Sequence, residues 1–247
     1  MSSGGMAAAL HVDVPIDLSV TAGAAAILVV TEAEKSALVP AQCRWCDVGG
    51  LDSRARDTFK WKDTKTPDAI SYVTAYALTP IVAVGLDALS ASNEHVFGET
   101  AEDALVVVES TLVATSVDQA AKFAFVRQRP DAHFDPPAQA SADDNLSFFS
   151  GHTTTAFAAA VSAGTVASMR GRRLAPLVWG AGMFTAALSG YLRMAADKHY
   201  LTDVLTGAAL GSGIGVLVPL VFHGDLPMLA VAPTPGGGAA VSWSKTF

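Results

Sequence analysis

Three stretches of this chain contain no charged residue over lengths close to those that cross a membrane: 69–86, 174–192 and 204–222. A fourth uncharged stretch, 153–169, is slightly shorter. A helix needs about 20 mainly apolar residues to cross the hydrocarbon core of a bilayer, so these stretches predict membrane-spanning helices. They are rich in Ala and Gly rather than Leu, which weakens insertion and leaves buried helices of a soluble protein as the alternative.

Two weaker helical stretches, 18–30 and 104–125, bring the predicted number of helices to six. The composition agrees with a helical bundle, because 51% of the residues are hydrophobic and only 16% are charged, against roughly 25% charged in ordinary soluble domains. We therefore predict an all-α six-helix bundle embedded in a membrane. The bundle occupies 18–222, between an N-terminal tail at 1–17 and a C-terminal segment at 223–247.

The two ends of the chain give weaker signals. Residues 233–238, Pro-Thr-Pro-Gly-Gly-Gly, form a turn signal between short apolar runs, which predicts a small C-terminal β-hairpin. Residues 1–10 contain no Lys or Arg and no long apolar core, so we recognise no secretory signal there.

The charges indicate an orientation. Three arginines lie between the fourth and fifth predicted helices: Arg170, Arg172 and Arg173. The positive-inside rule places this loop in the cytoplasm. With six alternating helices, three other loops then share the opposite face: 40–68, 122–152 and 190–203. The loop 90–103 departs from the rule, because it should be cytoplasmic but carries four acidic residues and no Lys or Arg.

The net charge of −7 argues against a nucleic-acid partner, since phosphate backbones are bound through excess Lys and Arg.

Cys43 and Cys46 are the two cysteines of the chain, and their C-x-x-C spacing allows three interpretations. Half of a zinc site is one, but no second pair of ligands follows at a suitable spacing. A redox-active dithiol is another, but no thioredoxin-like pattern surrounds it. A local disulfide or a pair of packed thiols is the interpretation we favour, and a disulfide would fit an oxidising compartment.

Three short segments concentrate the residues that could carry chemistry. In the first, Lys122 and Arg129 are seven positions apart, so a helix would place both cations on one face, as an anion site requires. A solvated helix C-terminus is the alternative, since cations there stabilise the helix dipole. In the second, Ser150-Gly151-His152 precedes an apolar stretch, and the free N–H groups of a helix start bind anions. An ordinary helix cap and a buried histidine would explain the same residues.

The third segment contains Arg193, His199 and Asp203. On a helix, Asp203 could reach the imidazole of His199 and fix its tautomer, whereas Arg193 would need a turn to meet the same ligand. A surface ion-pair patch is the alternative. All three segments fall in loops that the helix count places on one face. Together they predict an oxyanion site with two histidines, which suits phosphoryl transfer.

At these residues the chain resembles the superfamily of type 2 phosphatidic acid phosphatases and vanadium haloperoxidases. The family signature reads K-x(6)-R-P, then P-S-G-H, then S-R-x(5)-H-x(3)-D. The segments described above match it in order and spacing, and the resemblance covers about 69–222. Two positions depart from it: Phe149 stands where the family has Pro, and Leu192 stands where it has Ser. The missing Ser puts substrate selectivity or rate in question, without removing a core catalytic group.

The resemblance implies a role for each matching residue. His199 would attack phosphorus to form a phosphohistidine, Asp203 would orient it, and His152 would protonate the leaving oxygen and then activate water. The remaining residues would hold the phosphoryl oxygens: Lys122, Arg129, Ser150, Gly151 and Arg193. Arg127 lies outside the signature, so we expect it to be a charge at the rim that matters far less than His199.

The resemblance also implies an activity, which is metal-independent hydrolysis of phosphomonoesters or diphosphates, with lipids as the expected carriers. No cofactor is expected and no metal ligands are predicted. The expected location is the inner membrane, with the active site facing the periplasm. Two alternatives remain: a soluble periplasmic acid phosphatase with the same site, and a haloperoxidase that would hold vanadate in it. The sequence does not indicate which ester is cleaved or how the chain associates.

Overall fold

The computed structural model of the chain describes residues 10–224 and the backbones of two strands, 228–233 and 239–244. Six helices of 19 residues or more account for most of it. The first is α1 (Val14–Ala33). The second is continuous and consists of α4 (Lys65–Val73), a π-helical turn (Thr74–Leu78) and α5 (Thr79–Asn93). The other four are α6 (Thr100–Phe125), α8 (Gly151–Met169), α9 (Ala175–Ala195) and α10 (Leu201–Leu217), and a π-helical turn (Val218–Phe222) extends α10.

The connections contain short helices that the sequence patterns did not predict. These are α2 (Lys35–Leu38), α3 (Gly50–Phe59), α7 (Pro130–Phe134) and two 3₁₀ turns (Phe97–Glu99 and Ala142–Asn145). In the C-terminal segment, β1 (Met228–Pro233) pairs antiparallel with β2 (Ala239–Ser244), and Val231 is opposite Val241. The turn predicted between these strands, at 234–238, lies outside the described residues.

Four of the helices are long and apolar enough to cross a membrane: Val14–Ala33, Lys65–Asn93, Phe97–Phe125 and Leu201–Phe222. Among the described residues, that is fewer than the six spans predicted from the four uncharged stretches and the two weaker ones. The helices over the other two stretches, α8 and α9, contain many Gly, Ser and Thr residues, which lower their apolarity. A stretch without charges is therefore not always apolar enough to be a span by itself.

Helix α8 forms the centre of the bundle, where 17 of its 19 residues are buried. Its small side chains allow α10 to approach very closely. A Cβ at Gly211 would lie 2.4 Å from the carbonyl oxygen of Thr154, and one at Gly215 would lie 2.9 Å from that of Ala158. Glycine is required where two helix backbones come this near to each other. Gly213 lies between these two glycines in the sequence but faces open space, so only Gly211 and Gly215 of the three belong to the contact with α8.

The N-terminal boundary predicted at residue 18 is wrong, because α1 begins at Val14. Asp13 caps this helix by accepting a hydrogen bond from the backbone N–H of Ile16 at 3.3 Å. Before the helix, Leu10 packs into the core, and the backbone N–H of His11 donates to the carbonyl oxygen of His223 at 2.8 Å. Residues 10–17 and His223 therefore belong to the bundle rather than to tails.

The acidic loop 90–103 lies against the basic cluster that follows α8. Arg172 donates to Asp103 at 2.7 Å and to Glu99 at 2.9 Å, and Arg170 pairs with Glu102 at 2.9 Å. The acidic residues that break the positive-inside rule thus neutralise the arginines on which the predicted orientation rests.

Candidate active site

A cavity of about 410 Å³ opens at the end of the bundle where the three predicted segments meet. It lies between α1, the α4–α5 helix, the end of α6 and the start of α8. Twelve residues line it: Glu32, Lys35, Tyr72, Tyr76, Gln119, Lys122, Arg129, Asp143, Leu146, His152, Arg193 and His199. Five of the eight predicted site residues are among them, so the structure brings both histidines and the three cations together.

His199 lies in the turn between α9 and α10, and its side chain is almost fully buried. Its Nδ1 is 2.8 Å from the carbonyl oxygen of Ser147, so Nδ1–H donates there and Nε2 is the nitrogen available to a ligand. Burial, together with the cations Arg193, Arg129 and Lys122, lowers the pKa of His199 well below its usual range. The ring is therefore neutral near pH 7, as a nucleophile must be.

Asp203 does not bond His199 directly, contrary to the expectation from their spacing. Its Oδ2 is 3.7 Å from Nδ1, which is too long for a hydrogen bond. His199 precedes α10, which begins at Leu201, so the i,i+4 geometry of a helix does not apply. Asp203 Oδ2 instead accepts from the Ser147 hydroxyl at 2.6 Å and from the backbone N–H of Tyr200 at 2.9 Å. The carboxylate thus positions His199 through Ser147, a residue that the sequence analysis missed.

Arg127 is a buried anchor of this turn, so the expectation of a rim charge is wrong. Its side chain is 1% exposed. The guanidinium pairs with Asp203, donates to Asp52 at 2.6 Å and lies between two aromatic rings, 4.0 Å from the centre of Trp45 and 4.3 Å from that of Tyr200. A disulfide links Cys43 to Cys46 and closes the loop around Trp45.

His152 is in the first turn of α8 and faces the cavity between two tyrosines. The centre of its ring lies 4.4 Å from that of Tyr72 and 4.8 Å from that of Tyr76, both edge-on. Its Nε2 is buried and has no hydrogen-bond partner among the described residues. Tyrosine edges hold the imidazole in place without occupying its nitrogen, which leaves Nε2 available for proton transfer.

The three cations differ in how they are held. Arg193 pairs with Asp68 and donates to the Ser71 hydroxyl at 3.0 Å, so one side of its guanidinium is fixed. Lys122 is 2.7 Å from Asp118, one turn earlier on α6. Arg129 follows the end of α6, and its Nε has no hydrogen-bond partner within the described part of the chain. Arg129 therefore keeps a buried donor that no described residue occupies.

Ser150 and Gly151 do not line this cavity. Ser150 is fully buried, and its hydroxyl accepts from Thr153 at 2.9 Å rather than pointing to a ligand. Gly151 lines an adjoining pocket, where a Cβ would lie 2.7 Å from the Lys122 ammonium. The glycine thus makes room for the Lys122 side chain. Of the predicted phosphate ligands, Lys122, Arg129 and Arg193 line the cavity.

An apolar groove of about 310 Å³ continues from this end of the bundle between α1, the α4–α5 helix and α6. Tyr76 lines both the groove and the polar cavity. The groove is otherwise formed by aliphatic and small side chains, among them Leu28, Val107 and Leu112. The site is therefore polar where the histidines are and apolar towards the side of the bundle.

Comparison with known proteins gives one family and one solved structure. A family model described as the PAP2 superfamily matches residues 103–226. No curated protein matches the chain. The chain is similar to the crystal structure of the first transmembrane PAP2 type phosphatidylglycerolphosphate phosphatase from Bacillus subtilis, with 19% identity and a TM-score of 0.47, over 82% of this chain and 93% of that chain.

Proposed function

Because the chain belongs to the PAP2 superfamily, we propose that it is a membrane-embedded phosphatase that hydrolyses phosphomonoesters or diphosphates carried on lipids. The observation that carries this proposal is one cavity lined by two histidines and by the cations Lys122, Arg129 and Arg193, with both histidines offering Nε2 to a ligand. Three cations suit the oxyanion of a phosphate, and a nucleophile with a separate proton donor suits its transfer in two steps.

In the proposed first step, Nε2 of His199 attacks phosphorus while the bond from phosphorus to the ester oxygen breaks. His152, protonated once the phosphate dianion lies beside it, gives its proton to the departing oxygen and becomes neutral. In the second step, neutral His152 takes a proton from water, and the resulting hydroxide attacks the phosphohistidine. The P–N bond breaks, and inorganic phosphate leaves with His199 restored. Lys122, Arg129 and Arg193 stabilise the charge on the phosphoryl oxygens throughout.

The adjoining groove favours a lipid over a small soluble ester. A phosphate held between the histidines would place its ester group next to Tyr76, where the apolar groove begins. Burial of an acyl chain there contributes about 0.8 kcal/mol per CH₂ group. The disulfide on the loop near the cavity fits an oxidising compartment. We therefore propose the inner membrane as the location, with the cavity facing the periplasm.

The experiment measures phosphate release from a lipid phosphate and from a soluble aryl phosphate, as initial rates in EDTA. Wild type, His199→Ala and the exposed-histidine control His133→Ala are compared. We expect activity in EDTA for wild type and control, and none for His199→Ala. A phosphoenzyme trapped from wild type but not from His199→Ala would support the histidine intermediate.

Three results would contradict the proposal. Activity that survives in His199→Ala would exclude this nucleophile. Loss of activity in EDTA from a chain that stays folded, restored by an added cation, would exclude a metal-independent reaction. A chain that releases no phosphate but oxidises bromide with vanadate and peroxide would be a haloperoxidase instead.

A further inference from the structure

Three buried metal-binding side chains meet at the end of the bundle opposite the phosphate cavity. They come from different parts of the chain: Asp17 from the first turn of α1, Glu109 from α6, and His223 from the residue after the last π-helical turn. Each side chain has one ligand atom, and these three atoms all lie within 4.8 Å of one another. Neither the family signature nor the proposed reaction uses any of these residues.

These side chains are buried but not satisfied. Asp17 is 6% exposed, Glu109 5% and His223 2%. Asp17 Oδ2, Glu109 Oε2 and His223 Nε2 have no hydrogen-bond partner among the described residues. Within 10–224, no Lys or Arg pairs with either carboxylate. Buried carboxylates without a cation are costly, because burial removes the water that stabilises their charge. A positive charge bound beside these carboxylates would offset that cost.

The histidine is oriented as a metal ligand requires. Its Nδ1 is 3.0 Å from the carbonyl oxygen of His11, so Nδ1–H donates there and the lone pair of Nε2 points into the cluster. Metal-binding histidines are commonly oriented by such a bond from the other ring nitrogen to a backbone carbonyl. Nε2 lies 3.4 Å from Glu109 Oε2, which is about the separation of two ligands on a tetrahedral ion at bond lengths near 2.1 Å.

We propose that Asp17, Glu109 and His223 bind one divalent transition-metal ion, of which Zn²⁺ is the best fit to one imidazole and two carboxylates. The ion would complete the charge balance, since two carboxylates and a neutral histidine carry −2. Asp17 Oδ2 is 3.9 Å from His223 Nδ1, so its carboxylate would have to turn towards Nε2 to share the ion. A cavity of about 500 Å³, lined also by Asp13 and Glu102, leads to the cluster and gives the ion a route of access.

The bound ion is structural rather than catalytic. Asp17 and Glu32 lie 15 residues apart on α1, which at 1.5 Å per residue separates the cluster from the phosphate cavity by about 22 Å. An ion held here joins the start of α1 to α6 and to the end of the α10 helix. Helix α1 has only two buried residues, Asp17 and Ala24, so this tie is a large part of what holds its first turn.

The test measures Zn²⁺ binding by the full chain purified in detergent, stripped with a chelator and then dialysed against Zn²⁺. Elemental analysis should find about one equivalent in wild type and in the exposed-histidine control His133→Gln. His223→Gln and Glu109→Gln should each lose it. At free Zn²⁺ 100-fold above its Kd, the melting temperature of wild type should rise by about 5–10 °C, with no rise in the two cluster variants.

Two outcomes would overturn the proposal. Wild type that binds no stoichiometric Zn²⁺ and melts at the same temperature with and without it would indicate a protonated His223 paired with the acids. His223→Gln that binds as much Zn²⁺ as the control would place the ion elsewhere. If the variants fold poorly, the Zn²⁺ content and the melting temperature of wild type, measured after chelation and after addition of Zn²⁺, still decide whether the chain binds the ion. None of these readouts is phosphatase activity, so they are independent of the proposed reaction.

Discussion

Replacement of Arg127 by Ala should destabilise the fold strongly although this residue contacts no substrate. The change removes the cation between Asp52 and Asp203, whose side chains are 4% and 0% exposed. Breaking a buried ion pair from one side costs about 3–5 kcal/mol. Thr202 still donates to Asp52, and Ser147 to Asp203, so we expect the lower end, about 3 kcal/mol. At 2–4 °C per kcal/mol, the melting temperature falls by about 6–12 °C.

The assay is thermal unfolding in detergent, followed by tryptophan fluorescence, with kcat measured on the same preparations. Arg54→Ala on α3 is the matched control, because Arg54 is exposed and should change stability by no more than about 0.5 kcal/mol. Arg127→Lys should fall between the two, since it keeps the charge but cannot bond both carboxylates as a fork. We expect kcat to fall about tenfold or more for Arg127→Ala, because Asp203, without its guanidinium partner, holds Ser147 and His199 less firmly. Equal melting temperatures for Arg127→Ala and Arg54→Ala would refute the reasoning.

Two further predictions concern the substrate groove and the nucleophile. Leu112→Trp should fill the apolar groove and raise KM for a lipid phosphate about tenfold, with little change in KM for a soluble aryl phosphate. The exposed control Leu177→Trp should change KM for neither substrate. An equal rise in KM for both substrates with Leu112→Trp would contradict a lipid groove. Since the pKa of His199 is lowered well below its usual range, its ring stays neutral at pH values where an ordinary histidine is protonated. The acid limb of kcat/KM should therefore lie below the pKa of an ordinary histidine, about 6.5, after correction for ionisation of the substrate followed by ³¹P NMR. A limb at that value would contradict the shift.

The three predicted segments meet at one cavity, but the geometry expected within them is only partly present. The turn expected between Arg193 and His199 is there, with α9 ending at Ala195 and α10 beginning at Leu201. Lys122 and Arg129 both line the cavity, but they do not share a helix face, because α6 ends at Phe125 and Arg129 lies beyond it. Short spacing was enough to predict the turn, but it did not show where the helix ends.

The sequence failed where a role depends on residues far away in the chain. Arg127 is buried because Asp52, 75 positions earlier, and Asp203, 76 positions later, both reach it. Ser147 orients His199 from 52 positions away. Local patterns carry no information about such contacts. The sequence also could not show that Ser150 points away from the cavity, since a Ser at a helix start reads the same whether its hydroxyl meets a ligand or Thr153.

The unequal burial of α8 and α1 divides the protein into a fixed part and a displaceable part. Seventeen residues of α8 are buried against two of α1, so a shift of α8 would disturb its neighbours on every side, whereas α1 can tilt outward by losing contacts mainly with α6. Both catalytic histidines are in or beside the fixed part, and α1 forms one wall of the apolar groove through Leu28. On the proposed function, a lipid that arrives sideways from the bilayer would meet a long helix held mainly by α6, and displacement of that helix would leave both histidines in place.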